Sequence, residues 1–445
     1  MKHINFNHLS RVHFVGIGGI GTSAIARMLL GRGVKISGSD RATSAVTKSL
    51  TRAGANISIG HTSDIIPDGC DLVVHTVAIP HDNPELVQAR QRGMPIATYP
   101  EMLELISAEK YTVAVAGTHG KTTTTAMLGS ILLEAGVDPT ILVGGLMFDP
   151  RQKNISTPTF EQHGVNFILG ASDYFVVEAD EYRKSFLHLA PRLVVITNID
   201  ADHLDFYKDI DDIQATFAEL VRRIPPEGYI VCNPNDAHIR PVLSSARGRV
   251  VDYTQCILPK LMVPGKHNYA NAQAAATAAQ MLGVSFATIE NSVKNFPGTW
   301  RRFQYKGTTS GGALVYDDYA HNPQKVSATI AGARELYPDR RLVVIFQPHL
   351  YSRTKQFFMD FINALAAADK VVLTPIYAAR EAPDASISSN MLAEKLIAVA
   401  PHTTAIACLD FSEAKRHLSH ELSEKDVVVV MGAGNSTELA DALVY

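Results

Sequence analysis

The chain has 445 residues, 46% hydrophobic and 19% charged, with a formal net charge of -3. That length suits about three domains with cores of their own. The near-neutral charge, with no long Lys/Arg run, excludes a nucleic-acid-binding field and directs attention to small partners.

Residues 1–11 contain no apolar signal-type core and no later run reaches transmembrane length, so a cytoplasmic protein with no membrane partner is expected, as monomer or homodimer. Cys70, Cys232, Cys256 and Cys408 lie far apart with no CxxC pair, which fits reduced thiols and implies neither a metal knuckle nor a disulfide framework.

Residues 12–15 form a short apolar strand, followed by Gly-Ile-Gly-Gly-Ile-Gly at 16–21 and a helical pattern ending at Gly33. This is GxGxxG in its proper strand-turn-helix setting, with Gly16, Gly18, Gly19 and Gly21 free to approach a diphosphate. A second strand, 34–37, leads into Gly38-Ser39-Asp40, placing the Asp40 carboxylate where a ribose hydroxyl is bound. The pattern suits NAD, the diphosphate of a UDP-sugar, or tight helix-strand packing alone. Strands at 56–59, 72–75 and 96–97 continue the alternation, and His75-Thr76 stands at a strand's carboxyl end, where such sheets bind ligands or simply face water. Residues 107–110 read as a linker.

The strongest signal comes next. An apolar strand at 112–116 runs into Gly117-Thr118-His119-Gly120-Lys121-Thr122-Thr123 and a helix to about residue 136. The spacing departs from GxxxxGK[ST], since Val115 stands where the first glycine belongs, yet strand, two glycines, Lys-Thr and helix occur in the order a phosphate cradle needs. Lys121 can reach β/γ-phosphates and Thr122 can hold Mg²⁺. After a polar loop at 149–164, a strand at 174–177 ends in Glu178-Ala179-Asp180-Glu181, and another at 193–197 ends in an acidic run from Asp200 to Asp205 that includes His203. Clustered carboxylates call for a cation or a basic ligand group, and hard oxygen donors suit Mg²⁺. A helix at 210–224 and a strand at 229–232 follow. His267, Asn268 and Asn271 then fall in the first turns of an alanine-rich helix reaching residue 282, facing a phosphate or purine, or capping the helix.

From about residue 299 a third segment opens with Trp300-Arg301-Arg302-Phe303. Strands at 314–317, 342–346, 371–374 and 427–431 build a second parallel sheet, with Asp318-Tyr319-Ala320-His321 and Gln347-Pro348-His349-Leu350-Tyr351-Ser352-Arg353 at strand ends. The fold class expected is α/β with three domains: an N-terminal Rossmann-like domain at 1–107, a central P-loop ATPase-like domain with a parallel sheet at 108–298, and a C-terminal Rossmann-like domain at 299–445.

Taken in order, GIGGIG with GSD, AGTHGKTTTT, VEADE, TNIDADHLD, PGKHNYANA, RRF, DDYAHNP and QPHLYSRT resemble the Mur ligases, the ATP-dependent amide-forming enzymes of peptidoglycan precursor synthesis, over the whole chain. The motifs are most similar to the branch that joins L-alanine to UDP-N-acetylmuramate. The resemblance implies ATP and Mg²⁺ as cofactors and those two compounds as substrates. By motif, residues 117–123 with Lys121, His267, Asn268, Asn271, Arg302 and Asp317 contact ATP, and Thr122, Glu178 and His203 hold metal. The glycine-rich loop, Asp40, His75, Thr76, Glu181, Tyr319, His321 and Arg353 serve the other substrates, and Lys121, Glu178, His203, His321 and Arg353 carry the chemistry.

Three departures stand out: Thr216 or Phe217 occupies the region where some relatives carry a carboxylated lysine, only ten residues separate Tyr253 from Pro264, and Leu350 replaces a position often basic or polar. Tyr182, after the acidic run, leaves open the ligase that attaches a recycled tripeptide, although QPHLYSRT argues against it. A nicotinamide-dependent oxidoreductase explains GIGGIG but neither the phosphate loop nor the acidic clusters, and a non-catalytic nucleotide switch leaves the flanking domains unexplained.

Overall fold

A computed structural model describes residues 8–76, 78–152, 164–203, 206–379, 381–419 and 421–444. Asp205 of the acidic run and residues 153–163 of the polar loop lie outside the described residues. The chain divides into two compact units, Met1–Pro259 with Ala270–Lys294, and Lys260–Tyr269 with Asn295–Tyr445.

The first unit holds two sheets. In the first, β1 (Arg11–Val15), β2 (Lys35–Asp40), β3 (Asn56–Ile59), β4 (Leu72–His75) and β5 (Ile96–Thr98) lie parallel in the order β3-β2-β1-β4-β5. β4 is buried along its whole length and β1 along four of its five residues, which is why both read as apolar runs rather than alternating strands. Connecting helices are α1 (Ile20–Gly31), α2 (Ala45–Arg52), α3 (Pro84–Gln91) and α4 (Tyr99–Ala108). Each start has a local cause: Asn83 caps α3 ahead of Pro84, while Thr98 and Glu101 close a capping box on α4. Once started, α4 runs through the first half of the expected 107–110 linker, because Met102, Leu103 and Ile106 continue its buried face. Ser107 there is buried and its Oγ accepts from Ala190 N at 3.1 Å.

The second sheet contains β6 (Tyr111–Ala116), β7 (Thr140–Met147), β8 (Val165–Ile168), β9 (Tyr174–Glu178), β10 (Pro191–Ile196), β11 (Tyr229–Cys232) and β12 (Arg249–Asp252), in the order β12-β11-β10-β6-β9-β7-β8. Among the described residues only the β7–β8 pair of this sheet is antiparallel. β7, β8 and β12 went unread in the sequence, β7 because Gly144 and Gly145 interrupt its apolar run. The phosphate-loop helix α5 (Lys121–Glu134) is buried from Thr123 to Leu133 on every side, as its unbroken small and apolar composition requires. α1 packs on β7 and β8, where Asn166 Nδ2 donates to Ile20 O at 2.8 Å, and one contiguous core runs from Val12 to Val242.

The second unit holds β13 (Gln304–Thr308), β14 (Leu314–Asp318), β15 (Arg341–Phe346), β16 (Lys370–Leu373), β17 (Thr404–Ala407) and β18 (Asp426–Met431), in the order β13-β14-β18-β15-β16-β17. The expected parallel sheet carries one antiparallel edge strand, β13, which follows the positive-φ residues Arg301 and Phe303 and turns directly into β14. Among the described residues no helix is long and apolar enough to cross a membrane.

Candidate active site

β6 is the middle strand of its sheet and delivers the phosphate loop at its carboxyl end. Gly117 (φ 131°) and Gly120 (φ 83°) make turns that side-chain-bearing residues resist, and a Cβ on Gly117 would stand 2.1 Å from Thr197 Oγ1. The residues after β10 clamp the loop. Thr118 N donates to Asn198 O at 3.0 Å and His119 N to Asn198 Oδ1 at 2.9 Å, while Asn198 Nδ2 and Thr197 Oγ1 both donate to His119 O at 3.0 and 2.6 Å. Thr118 Oγ1 accepts from Asp200 N at 2.8 Å. No side chain caps α5, so its first amides and dipole end are available to an anion. Asn271 borders the loop: a Cβ on Gly120 would lie 2.2 Å from its Oδ1.

Lys121 Nζ donates to Gly117 O at 2.6 Å, to Thr118 O at 3.2 Å and to Glu181 Oε2 at 2.8 Å. Burial opposes its charge, yet Glu181, with Glu178 and Asp180 beyond it, keeps its pKa above the ordinary lysine value. Glu181, expected among the substrate contacts, is thus engaged by the loop lysine, and Tyr207 OH donates to its carbonyl. Thr122 Oγ1 donates to Glu178 Oε1 at 2.9 Å and Gly144 N to Glu178 Oε2 at 2.6 Å. Asp180, Glu181 and His203 bring ligand atoms within 4.8 Å of one another, with His203 held at φ 54°. Two donor sets therefore flank the loop, Thr122 with Glu178 and His203 with Asp180 and Glu181. These oxygen-rich sets fit a hard divalent cation. Thr216 and Phe217 are buried in the helix Ile210–Arg222.

At the other sheet of this unit, Gly16 (φ 80°) and Ile17 both donate backbone N–H to Ser39 O at 2.9 Å, and Gly18 N donates to Asp40 Oδ2 at 2.7 Å. Asp40 therefore shapes the glycine loop itself, beyond any contact with a ribose. Thr76 Cγ2 lies 2.8 Å from where a Gly16 Cβ would be, and Tyr99 ring atoms lie 2.5 Å from a Gly21 Cβ, so side chains at either glycine would collide. His75 is buried, its Nδ1 3.0 Å from Thr76 O.

In the second unit the adjacent aspartates of β14 part company. Asp317, expected on a phosphate or ribose, is fully buried, and Arg301 Nε donates to its Oδ2 at 3.1 Å. Burial, opposed by Arg301, pushes its carboxyl up to about 6. Asp318 is the one electrostatically coupled to Arg302 and His267, and it accepts from Phe303 N and Ala320 N at 2.7 and 2.8 Å. Strand alternation explains the difference: neighbours on β14 point to opposite faces of the sheet. Asn268 Nδ2 donates to Pro264 O at 2.6 Å, tying down the start of its helix. Two guanidiniums approach the Tyr319 ring, Arg301 at 5.2 Å and Arg302 at 5.3 Å from its centre. His321 Nδ1 is 2.8 Å from Tyr319 O, and burial with Lys325 pushes its pKa down to about 3. Arg353 Nη1 is 3.1 Å from His349 Nδ1, and the His349 ring stacks on Tyr377 at 5.7 Å. Leu350 sits at φ 72° with its N–H on Tyr377 O, so its contribution is a backbone turn.

Sequence reasoning missed Asn198, Gly144, Asp318 and Tyr377 as site residues. A polar residue directly after a strand beside a glycine loop was a signal for Asn198; Tyr377 carried none.

Residues 11–111, 115–258 and 301–434 match, in order, the Mur ligase family catalytic domain, the Mur ligase middle domain and the Mur ligase glutamate ligase domain. A UDP-N-acetylmuramate–L-alanine ligase of Clostridium kluyveri is 40% identical over 97% of each chain. The chain belongs to the Mur ligase family. A Geobacter UDP-N-acetylmuramate–L-alanine ligase shares 38% identity with this Mur ligase over 98% of each chain. The crystal structure of a UDP-N-acetylmuramate-alanine ligase from Thermotoga maritima superposes at TM-score 0.77, with 28% identity over 98% of each chain. A murein peptide ligase from Psychrobacter arcticus, at TM-score 0.66 and 24% identity over 98% of each chain, shares the fold. In this Mur ligase the phosphate loop, its lysine and both donor sets lie within the middle-domain match.

Proposed function

We propose that this Mur ligase joins L-alanine to the lactyl carboxylate of UDP-N-acetylmuramate with ATP, giving UDP-N-acetylmuramoyl-L-alanine, ADP and phosphate, in the cytoplasm. The observation that carries the reading is a phosphate loop with its lysine and flanking donor sets, in a chain that matches ligases of that name over 97% of its length. Residues 1–107 take the UDP-sugar, 108–298 the ATP and 299–445 the amino acid.

An amide forms from a carboxylate only after an oxygen becomes a leaving group. The carboxylate attacks the γ-phosphorus and ADP leaves; the amine, having given up a proton, then attacks the carbonyl carbon of the acyl phosphate, and the C–N bond forms as inorganic phosphate is expelled. Lys121, released from Glu181, neutralises the transferring phosphoryl group, and the amides at the start of α5 orient the phosphate chain. Thr122 with Glu178, and His203 in the second donor set, would hold Mg²⁺, which would supply charge compensation for the phosphates. In the second unit, Arg353 binds the amino acid's carboxylate bidentately. His321, kept neutral, stands beside Tyr319 as an acceptor for the ammonium.

The test is phosphate release from ATP with Mg²⁺ and UDP-N-acetylmuramate, scanned across amino acids, with product mass. L-alanine should be the preferred substrate, with glycine and L-serine slow, because a missing methylene, or an added hydroxyl in an apolar pocket, discriminates by only about 1–3 kcal/mol. Ligation of L-alanyl-D-glutamyl-diaminopimelate but not of alanine would overturn the proposal.

A further inference from the structure

The first unit contains a buried polar cluster that phosphoryl transfer does not use. Glu85, in the first turn of α3, is fully buried, and His13, in the middle of β1, is 1% exposed. Glu85 Oε2 lies 2.7 Å from His13 Nε2 and Oε1 lies 2.7 Å from His61 Nδ1. The Ser39 hydroxyl reaches both oxygens, at 2.7 and 2.9 Å, and His13 Nδ1 is 2.9 Å from Ser37 Oγ. An ionised carboxylate only accepts, so Ser39 and the two facing imidazole nitrogens must all donate to it. Three donors thereby converge on Glu85 inside a protein core, one imidazole on each oxygen and the Ser39 hydroxyl between them.

Such a cluster is a poor way to stabilise a sheet, since apolar side chains of similar volume would serve as well or better. Geometry is what it specifies. Ser39 is the residue whose carbonyl receives the N–H groups of Gly16 and Ile17, and its neighbour Asp40 receives that of Gly18. Ser39 is paired as well to Val15 on one side and Ser58 on the other, so Glu85, with His61 Nδ1 at 3.0 Å from the Ser39 hydroxyl, adds the restraint that the sheet ladder lacks, on the side chain. A shift of Ser39 along that direction displaces three consecutive anchors of the glycine loop. His61, just past β3, closes the cluster at the sheet's carboxyl edge and is the member that reaches solvent, its side chain 21% exposed.

We propose that Glu85, acting through Ser39 with His13 and His61, is a positioning residue for the glycine loop, holding the amides of residues 16–18 where the diphosphate of the UDP-sugar is received. The proposal rests on the reading that this loop binds UDP-N-acetylmuramate.

The test uses the full chain with Ser39→Ala, His61→Leu and His61→Asn, the last keeping an N–H donor near the Nδ1 position. UDP-N-acetylmuramate affinity is measured by calorimetry, and KM for the sugar nucleotide and for ATP are measured separately. Ser39→Ala and His61→Leu should weaken sugar-nucleotide binding and raise its KM about tenfold, the scale of one lost buried hydrogen bond. KM for ATP and kcat at saturation should stay within about twofold, and His61→Asn should recover most of the affinity. A merely structural role would move both KM values and kcat together and show no asparagine rescue; that pattern, or unchanged sugar-nucleotide affinity in both variants, overturns the proposal. If Ser39→Ala does not fold, the partly exposed His61 pair decides alone. Wild-type protein that binds no UDP-sugar refutes the ligand assignment itself, and that failure shows before any variant is made.

Discussion

Lys121→Met separates what the phosphate-loop lysine does for the fold from what it does for the reaction. In the resting site Nζ serves Gly117 O at 2.6 Å, Thr118 O at 3.2 Å and Glu181 at 2.8 Å, with the two side chains 14% and 3% exposed. Methionine keeps most of the stem's volume and leaves Glu181 buried without its cation. Removing one partner of a buried pair costs about 3–5 kcal/mol, and the lower figure applies because Glu181 can take up a proton. About 3 kcal/mol corresponds to a Tm loss of roughly 3–5 °C at this size, since the unfolding entropy is about 2.1 cal/mol/K per residue. Burial already lifts the Glu181 carboxyl above its usual range, and Lys121 opposes that rise, so the variant's Glu181 titrates higher still. An acid whose folded pKa exceeds its unfolded one binds protons preferentially in the folded state, and stability then falls as pH rises from the unfolded toward the folded value. The deficit is therefore larger at about pH 8 than at about pH 5.5. Adding Glu181→Gln should recover most of the stability, while kcat for phosphate release stays down by roughly 10² or more in both variants. Thermal unfolding at the two pH values, read beside phosphate release, checks each half. A Lys121→Met protein as stable as wild type at both pH values would refute the buried-pair argument, and near-normal turnover would refute the loop's role.

Gly120→Ala combines a φ of 83° with a Cβ 2.2 Å from Asn271 Oδ1, so nucleotide affinity measured by calorimetry should fall at least tenfold; unaltered affinity would mean the loop tolerates what its geometry forbids. Glu178→Gln keeps the hydrogen bond from Thr122 but loses a charged donor, so the Mg²⁺ concentration for half-maximal rate should rise about tenfold with partial recovery at high Mg²⁺; a titration matching wild type would remove Glu178 from the metal set. His321, pushed down to about 3 by burial and Lys325, should show flat ring proton shifts in NMR from about pH 5 to 9. Its folded state binds fewer protons than the unfolded chain, so its contribution to stability is lost as pH falls from about 6.5 toward about 3. A ring titration near the ordinary value would contradict its burial.

Much of this was legible in the residues. Glycine loops announce themselves because φ above zero and close backbone approach leave few alternatives to glycine, so residues 16–21 and 117–123 could be placed at strand-to-helix turns without coordinates. Apolar runs of four to six residues marked most of the parallel strands, since strands covered on both faces cannot alternate. Two strand-end acidic clusters beside a phosphate loop led to the expectation of a cation next to bound phosphate. β7 escaped because its paired glycines, which make room for Glu178 and Thr122, erase its pattern. β13 and β17 escaped because short edge strands carry little apolar signal.

What the residues alone determined is the order of most buried elements and the chemical repertoire at their ends, because both depend on local periodicity and local backbone freedom. Which side chain of that repertoire faces which partner was decided only by tertiary structure. Asp317 and Asp318 are chemically identical neighbours; one is buried against Arg301 and the other couples to Arg302 and His267, according to which face of β14 each occupies. Glu85, His13 and His61 lie on three elements far apart in sequence, and nothing local to any of them announces the others. Their convergence beneath Ser39 exists only once β1, β2 and α3 have packed, since a buried hydrogen-bond network is a property of three-dimensional neighbours.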